Sequence, residues 1–333
     1  MQIAGTALCD ALLTSIPHQS PMATASPKGS LKDAQTVGTV YPRPRISNSR
    51  AVDIYLYRVM RMQFVKIHTA GSDYVVCDAA AVRDARVCAR LLDRHTGVGG
   101  EGLLLVGAPT DADTPVRLIL PDGSEGEGCV TAAQTAARAL FARGKCRTQV
   151  RIALDGTVYP VRLSTLGDRV LCVFAELPPL VPRPMDGLKY HYGIRGEVLR
   201  ACLARPRLSI CDLGGTHAVF LLESAAALRA LDVTGVCRRL AEVLFYGERI
   251  HMHFVAVLGD NALSMRSWQP ARGELAACGE GAAAAVYTAR AAGLCDSDNV
   301  PVRARGGSFC VELCGKAASV CAKSEVVFTG KVG

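Results

Sequence analysis

The chain has 333 residues, half of them apolar and 5% aromatic, with a formal net charge of +8. That length suits two domains around a substantial core, and no run approaches the ~20 uncharged residues of a membrane-spanning helix, so a soluble protein is expected. The charge is uneven: residues 1–61 hold seven Lys/Arg and three Asp/Glu, and without a basic-aromatic stripe no nucleic-acid partner is expected.

Residues 1–61 are rich in Ser, Thr, Pro and Arg and lack sustained periodicity. They read as a disordered extension, or as an over-long start whose true beginning is Met60 or Met62; an Arg-rich targeting peptide fits poorly with Asp10, Asp33 and Asp53. From Met62 the pattern sharpens. MQFVKIH and DYVVCDA alternate as strands about the turn TAGSD, ARVCARLLDRH has helical spacing, and GVGGEG breaks it before the strand LLLV. VRLIL leads to the turn PDGS and a helix that begins near Cys129, and strands follow at QVRIALD, TVYPVRLS and RVLCVFAEL. The second half repeats this plan. LGGTHAVFLLES parallels TAGSDYVVCDAA, a mostly helical stretch follows, HMHFVAVL and ALSMRSWQ are strands, and a second helix begins near Cys278. Two copies at a period near 150 residues predict a pseudo-symmetric pair of domains.

Fourteen cysteines are scattered with no CxxC, and there is no basic segment followed by an apolar run at the start. A reducing cytoplasm is expected, with most thiols acting as small hydrophobes. Cys129 and Cys278 stand apart because each follows a glutamate by four residues (Glu125, Glu274) and opens an Ala-rich helical run. Both runs stop at a glycine 15 residues on, Gly144 and Gly293. A thiol at the positive end of a helix is favoured as thiolate, and the free N–H groups there can hold a carboxylate. Two such ends meeting in a cleft supply a base and an acid on opposite faces of one carbon, the apparatus for inverting an α-centre. Oxidation would instead join the two thiols. Glu125 and Glu274 read most simply as turn or helix-start residues. GVGGEG lacks the Lys-Ser/Thr of a phosphate loop, and His251 and His253 share a strand face but have no third metal ligand identifiable in the sequence, so no metal is expected.

The strings FVKIHTAGSDYVVCDA, DRHTGVGGEGLLLV, DGSEGEGC, GGTHAVFLL and GELAACGEGAAAA, in this order, resemble diaminopimelate epimerase over essentially all of residues 62–333. The resemblance implies an α/β (α+β) fold of two pseudo-symmetric domains, each a mixed β-sheet or barrel wrapped around a central helix, with the active site in the interdomain cleft. The expected division is 62–180, completed by 318–333, and 181–317. It also implies cofactor-independent epimerisation of LL-diaminopimelate to the meso form in lysine and peptidoglycan precursor synthesis, a possible homodimer, Cys129 and Cys278 as the acid/base pair, and His217 beside them. Expected substrate contacts are Ser72, Val130, Thr131, His217, His251, Gln269, Gly279 and Glu280. The departures bear on the substrate. CVTAAQ stands where the family has CGNG-x-R, and Ser72, Leu120, Gly215, Thr216 and His251 replace residues of the family pattern. Gln269, Pro270 and Ala271 stand where it has Glu-Arg-Gly. Glu280 either repels a carboxylate arriving at the helix end or points outward while its N–H donates. Two further readings stay open: a racemase or epimerase of another amino acid, and a non-catalytic descendant.

Overall fold

The computed structural model describes residues 62–82, 85–110, 112–183, 207–243, 249–259 and 261–332, so the expected N-terminal extension lies outside the described residues. In chain order the first half runs β1 (Met62–Thr69), β2 (Ser72–Asp78), α1 (Ala85–Leu92), β3 (Gly102–Val106), β4 (Thr114–Ile119), α2 (Val130–Ala142), β5 (Gln149–Leu154), β6 (Thr157–Leu166) and β7 (Arg169–Glu176). A two-residue strand, β8 (Val181–Pro182), follows. The second half runs β9 (Arg207–Asp212), β10 (Thr216–Leu222), α3 (Ala225–Ala230), α4 (Val233–Val243), β11 (Ile250–Leu258), β12 (Ala262–Gln269), β13 (Gly273–Leu275), α5 (Gly279–Ala291), β14 (Asn299–Arg303), β15 (Ser308–Cys314), β16 (Ala317–Ala322) and β17 (Ser324–Val332).

The two halves share one pairing scheme. In the first, β1–β2 is antiparallel, β2–β3 parallel, β3–β4 antiparallel, β4–β5 parallel, and β5–β6 and β6–β7 antiparallel. In the second, β9–β10, β10–β11, β11–β12, β12–β14, β14–β15 and β15–β16 repeat that series step for step. Each parallel step needs a crossover connection, and the helices occupy those crossovers: α1, α2, α3 with α4, and α5. The halves are also laced together. β16 pairs with β7, β8 pairs with β9, and β17 pairs with β1, so each half is finished by a strand that follows the other half's meander or leads into it.

α2 and α5 are the central helices. Ten residues of each are buried, and alanine dominates both. A helix apolar on every side is a core helix, and its small side chains let the surrounding strands approach closely. Both helices end as the glycine signals predict, with Gly144 at φ +65° and Gly293 at φ +68°, the left-handed conformation that closes a helix C-terminus. One apolar cluster runs through both halves, joining α2 residues such as Ala136 and Leu140 to α5 residues such as Ala285 and Val286. Within it, Gln134 of α2 donates Nε2 hydrogen bonds to the carbonyls of Val173 on β7 (2.9 Å) and Val320 on β16 (2.8 Å), pinning the seam between the halves. Two smaller clusters lie outside the strands, α1 against β1–β3 and the α3/α4 pair against β10–β12. No described helix is long and apolar enough to cross a membrane.

Candidate active site

Each central helix presents its first turn to the same place. Cys129 is the N-cap of α2 and Cys278 the N-cap of α5, and both thiols line one cavity of about 570 Å³ between the halves. The approach is close: a Cβ added to Gly279 would lie 2.2 Å from Val130 Cγ1, so only glycine fits where the two helix starts touch. Residues offset by 149 recur around them. Arg117 pairs with Glu125 and, 149 positions on, Arg266 pairs with Glu274, so the two glutamates ahead of the cysteines anchor each approach to the strand just before it.

Around Cys129, Tyr74 Oη lies 3.6 Å and Thr131 Oγ1 3.4 Å from the sulfur, and the two hydroxyls are 3.4 Å from each other. Around Cys278, the Gly281 N–H donates to Sγ at 3.3 Å. Glu280 sits between the two thiols. Its Oε1 accepts from the Val130 N–H at the start of α2, and its Oε2 is 3.8 Å from Cys278 Sγ. Only 4% of Glu280 is exposed, so of the two expectations for it, the outward-pointing one is overturned: the side chain turns inward and takes an N–H of the opposite helix. This also changes the thiols. Burial pushes both upward and the adjacent Glu280 charge pushes further, Cys278 the more strongly, while Arg272 works in the opposite direction. The thiolate that a bare helix end would favour is therefore opposed here by a carboxylate already lodged at that end. Burial likewise raises the Glu280 carboxyl above the ordinary range.

A second set of residues forms the wall beyond the thiols. His251 Nε2 meets Glu127 Oε2 at 3.3 Å and Gln269 Nε2 at 3.0 Å, and Arg249 reaches Glu127 at 3.4 Å. The His251 contact, ahead of the opposing burial, holds Glu127 below the usual carboxylate range. Arg272, in the turn between β12 and β13, bonds Glu101 of the glycine-rich GVGGEG turn. Ser72 supports Glu101 by a side-chain hydrogen bond. Deeper, His217 Nδ1 meets His253 Nε2 at 3.0 Å, and His253 Nδ1 meets Ser267 Oγ at 2.9 Å. Burial drives both imidazoles down, His217 far below its ordinary value and His253 to about 3, so both rings are neutral.

Of the sequence-predicted residues, Cys129, Thr131, His217, His251, Gln269, Cys278 and Glu280 line the cavity. Ser72, Val130 and Gly279 do not; Ser72 is buried behind Glu101, and Val130 and Gly279 meet where the helices touch. Sequence reasoning missed Tyr74, Glu127, Arg272 and the chain of contacts that joins His217 to His253 and Ser267. Arg272 carried a signal: it lies two positions after the slot where the family arginine is absent, in a tight turn that still aims it into the cavity. Glu127 is two residues from Cys129 in the same extended approach. Nothing local singles out Tyr74, which reaches Cys129 only because β2 packs against α2.

The comparisons with known proteins agree with this geometry. A profile of the diaminopimelate epimerase family matches residues 210–332. The diaminopimelate epimerase of Pelotomaculum thermopropionicum is 30% identical over 294 residues, covering 81% of this chain and 98% of the relative. The chain belongs to the diaminopimelate epimerase family. Another diaminopimelate epimerase, from Methanocaldococcus jannaschii, is 27% identical over 274 residues, covering 76% of this chain and 92% of its own. Among solved structures, a predicted epimerase from Pseudomonas aeruginosa superposes with a TM-score of 0.62 at 13% identity, covering 82% of this chain and 99% of its own. A hydroxyproline epimerase from Agrobacterium vitis, with bound trans-4-hydroxy-L-proline, superposes at 0.59 and 15%, covering 82% and 93%. Membership of the diaminopimelate epimerase family makes the protein an amino-acid isomerase, and the structural likenesses show that its paired-half fold is that of other epimerases.

Proposed function

We propose that the protein epimerises LL-diaminopimelate to the meso form without a cofactor, by proton transfer between Cys129 and Cys278. The observation that carries this reading is the placement of both thiols at the first turns of equivalent central helices, facing one cavity. One sulfur, as thiolate, takes the α-proton. The other, as thiol, returns a proton to the opposite face, and the pair ends with thiol and thiolate exchanged. The carbanion's charge spreads onto the α-carboxylate, which the N–H groups of the two helix starts receive. Glu280 accepts one of those N–H groups, that of Val130, so a substrate carboxylate bound there takes the place of the Glu280 carboxylate. Arg272 favours the thiolate at both sulfurs. Tyr74 and Thr131 orient Cys129. At the far wall, Glu127 suits the distal ammonium, and Arg249, His251 and Gln269 suit the distal carboxylate.

A second reading, inversion of a different amino acid, is favoured by Glu280 itself, because a carboxylate on the Val130 N–H competes with the substrate's own. A cytoplasmic setting goes with either reading, because Cys129 and Cys278 must stay reduced to work.

The test is α-proton exchange in D2O, followed by proton NMR, with reduced protein and LL-diaminopimelate or single common amino acids. Exchange on diaminopimelate that Cys129→Ala and Cys278→Ala each abolish supports the proposal. Exchange confined to another amino acid selects the second reading. No exchange by folded, reduced protein sinks both and leaves a non-catalytic descendant.

A further inference from the structure

His217, His253 and Cys278 place one donor atom each within 4.8 Å of one another, and all three are buried. The geometry points to a binding site for a zinc-like divalent cation on these three side chains, one that takes Cys278 out of service while the metal is bound. Its donor set is two neutral imidazoles and a thiol, the ligand type that zinc and its analogues prefer over hard oxygen-seeking cations. Donors around a tetrahedral ion stand about 3.3–3.6 Å apart when the bonds are about 2.0–2.3 Å. His217 Nδ1 and His253 Nε2 are already 3.0 Å apart, and the cysteine sulfur, within 4.8 Å of the imidazole donors, moves toward them to close the triangle. The fourth position opens toward the cavity that all but His253 help to line.

The surroundings are arranged as those of a ligand set. A metal-binding histidine ordinarily gives its other ring nitrogen to a fixed partner, which sets tautomer and orientation. Here His253 Nδ1 is held by Ser267 Oγ, and the His217 ring hydrogen-bonds the backbone of Leu213. The sulfur keeps the Gly281 N–H as a donor to the thiolate. The His253 ring packs directly against Gly281, where an added Cβ would come within 2.3 Å of Cε1, so a glycine is needed there to admit the ring. Charge closes as well: a divalent ion, the Cys278 thiolate and the neighbouring Glu280 carboxylate sum to zero in a buried site. On binding, the thiol proton leaves to solvent. The proton shared between the two rings moves to His253 Nδ1, where Ser267 turns to accept it, and the ion takes its place.

The inhibitory consequence rests on the proposed two-thiol reaction, whereas the site itself does not, and the experiment separates them. Reduced, metal-free full-length protein is titrated with Co2+, then with Zn2+ in competition. The expected result is one equivalent of Co2+ giving the intense visible bands of a tetrahedral ion and a thiolate-to-cobalt band in the near ultraviolet. Zn2+ should displace it. Cys278→Ser should remove the thiolate band, and Ser267→Ala, which leaves every ligand in place, should weaken Zn2+ binding about 10–100-fold. His253→Asn should weaken it further. A spectrum without the thiolate band, or Zn2+ affinity unchanged in folded His253→Asn and Ser267→Ala proteins, overturns the site. In the exchange assay, stoichiometric Zn2+ should stop α-proton exchange and a chelator restore it. If exchange continues with Zn2+ bound, blockade of Cys278 is overturned. If the cobalt spectrum appears but no amino acid exchanges in metal-free protein, the site stands and the epimerase reading falls.

Discussion

Replacing Glu280 by glutamine removes the charge between the two thiols and little else. The amide oxygen can still accept the Val130 N–H, and the shape is kept. Glu280 Oε2 lies 3.8 Å from Cys278 Sγ. Two unit charges at that separation interact by about 1 kcal/mol at the dielectric of water and about 4 kcal/mol at an effective value near 20. Losing that repulsion should raise the thiolate fraction of Cys278 at neutral pH between about fivefold and a thousandfold, at 1.36 kcal/mol per tenfold. A thiolate of lower pKa is also a weaker nucleophile, which returns a little under half of the gain on a logarithmic scale, so alkylation should quicken about 2- to 40-fold. The assay is iodoacetamide labelling at pH 7 in chelator-treated protein, with rates read for each cysteine peptide by mass spectrometry. Cys278 should respond most, Cys129 in the same direction, and the buried Cys77 and Cys211 should not change. Equal or slower labelling of Cys278 in a folded Glu280→Gln protein would refute the view that a charged Glu280 holds the two thiols protonated.

Two further outcomes follow from the core. Gln134→Leu leaves the Val173 and Val320 carbonyls without their side-chain donor at the seam between the halves, and should cost about 1–3 kcal/mol. Urea unfolding should show a lower midpoint; an unchanged midpoint would mean the seam does not depend on Gln134. Acid should act through the histidine pair. Both rings bind a proton more weakly folded than unfolded, so the unfolded chain takes up more protons and stability rises with pH. Their contribution is present above the unfolded value near 6.5 and is lost as pH falls toward the folded value of about 3 at His253, at up to about 1.4 kcal/mol per pH unit for each ring. His251, packed against His217, and the Cys278 thiol are the other titratable groups facing the pair. His253→Asn should flatten the stability profile below pH 6.5, and an unaltered slope would count against a buried neutral pair.

Much of this architecture was written in local patterns. The 149-residue offset that marks Cys129 and Cys278 extends to Arg117 with Arg266 and to Glu125 with Glu274, so the repeat visible in sequence is a repeat of contacts. Strand alternation and the helix-stopping Gly144 and Gly293 were equally plain, because each depends on neighbours close in the chain. The rest depends on distant segments. Pairing of β17 with β1, β8 with β9 and β16 with β7 leaves no mark within any one strand. Glu280 reads as a solvent-seeking residue until the opposite helix offers it the Val130 N–H. His253 lacked partners in sequence because His217 lies 36 residues earlier, on the neighbouring parallel strand β10.

The β1–β17 pairing also sets a timetable for synthesis. Thr69 at the end of β1 bonds Ser324 at the start of β17 across 255 residues of chain. At about 5–20 residues per second, the ribosome takes roughly 13–51 s to cover that distance. Throughout it, β1 has one edge waiting for a partner not yet made. An unpaired strand edge is an invitation to wrong partners, and the helix end that carries Cys129 is packed against this same sheet. The first cysteine therefore stands at the start of its helix against an incomplete sheet until the second has already been delivered, because β17 follows Cys278 in the chain.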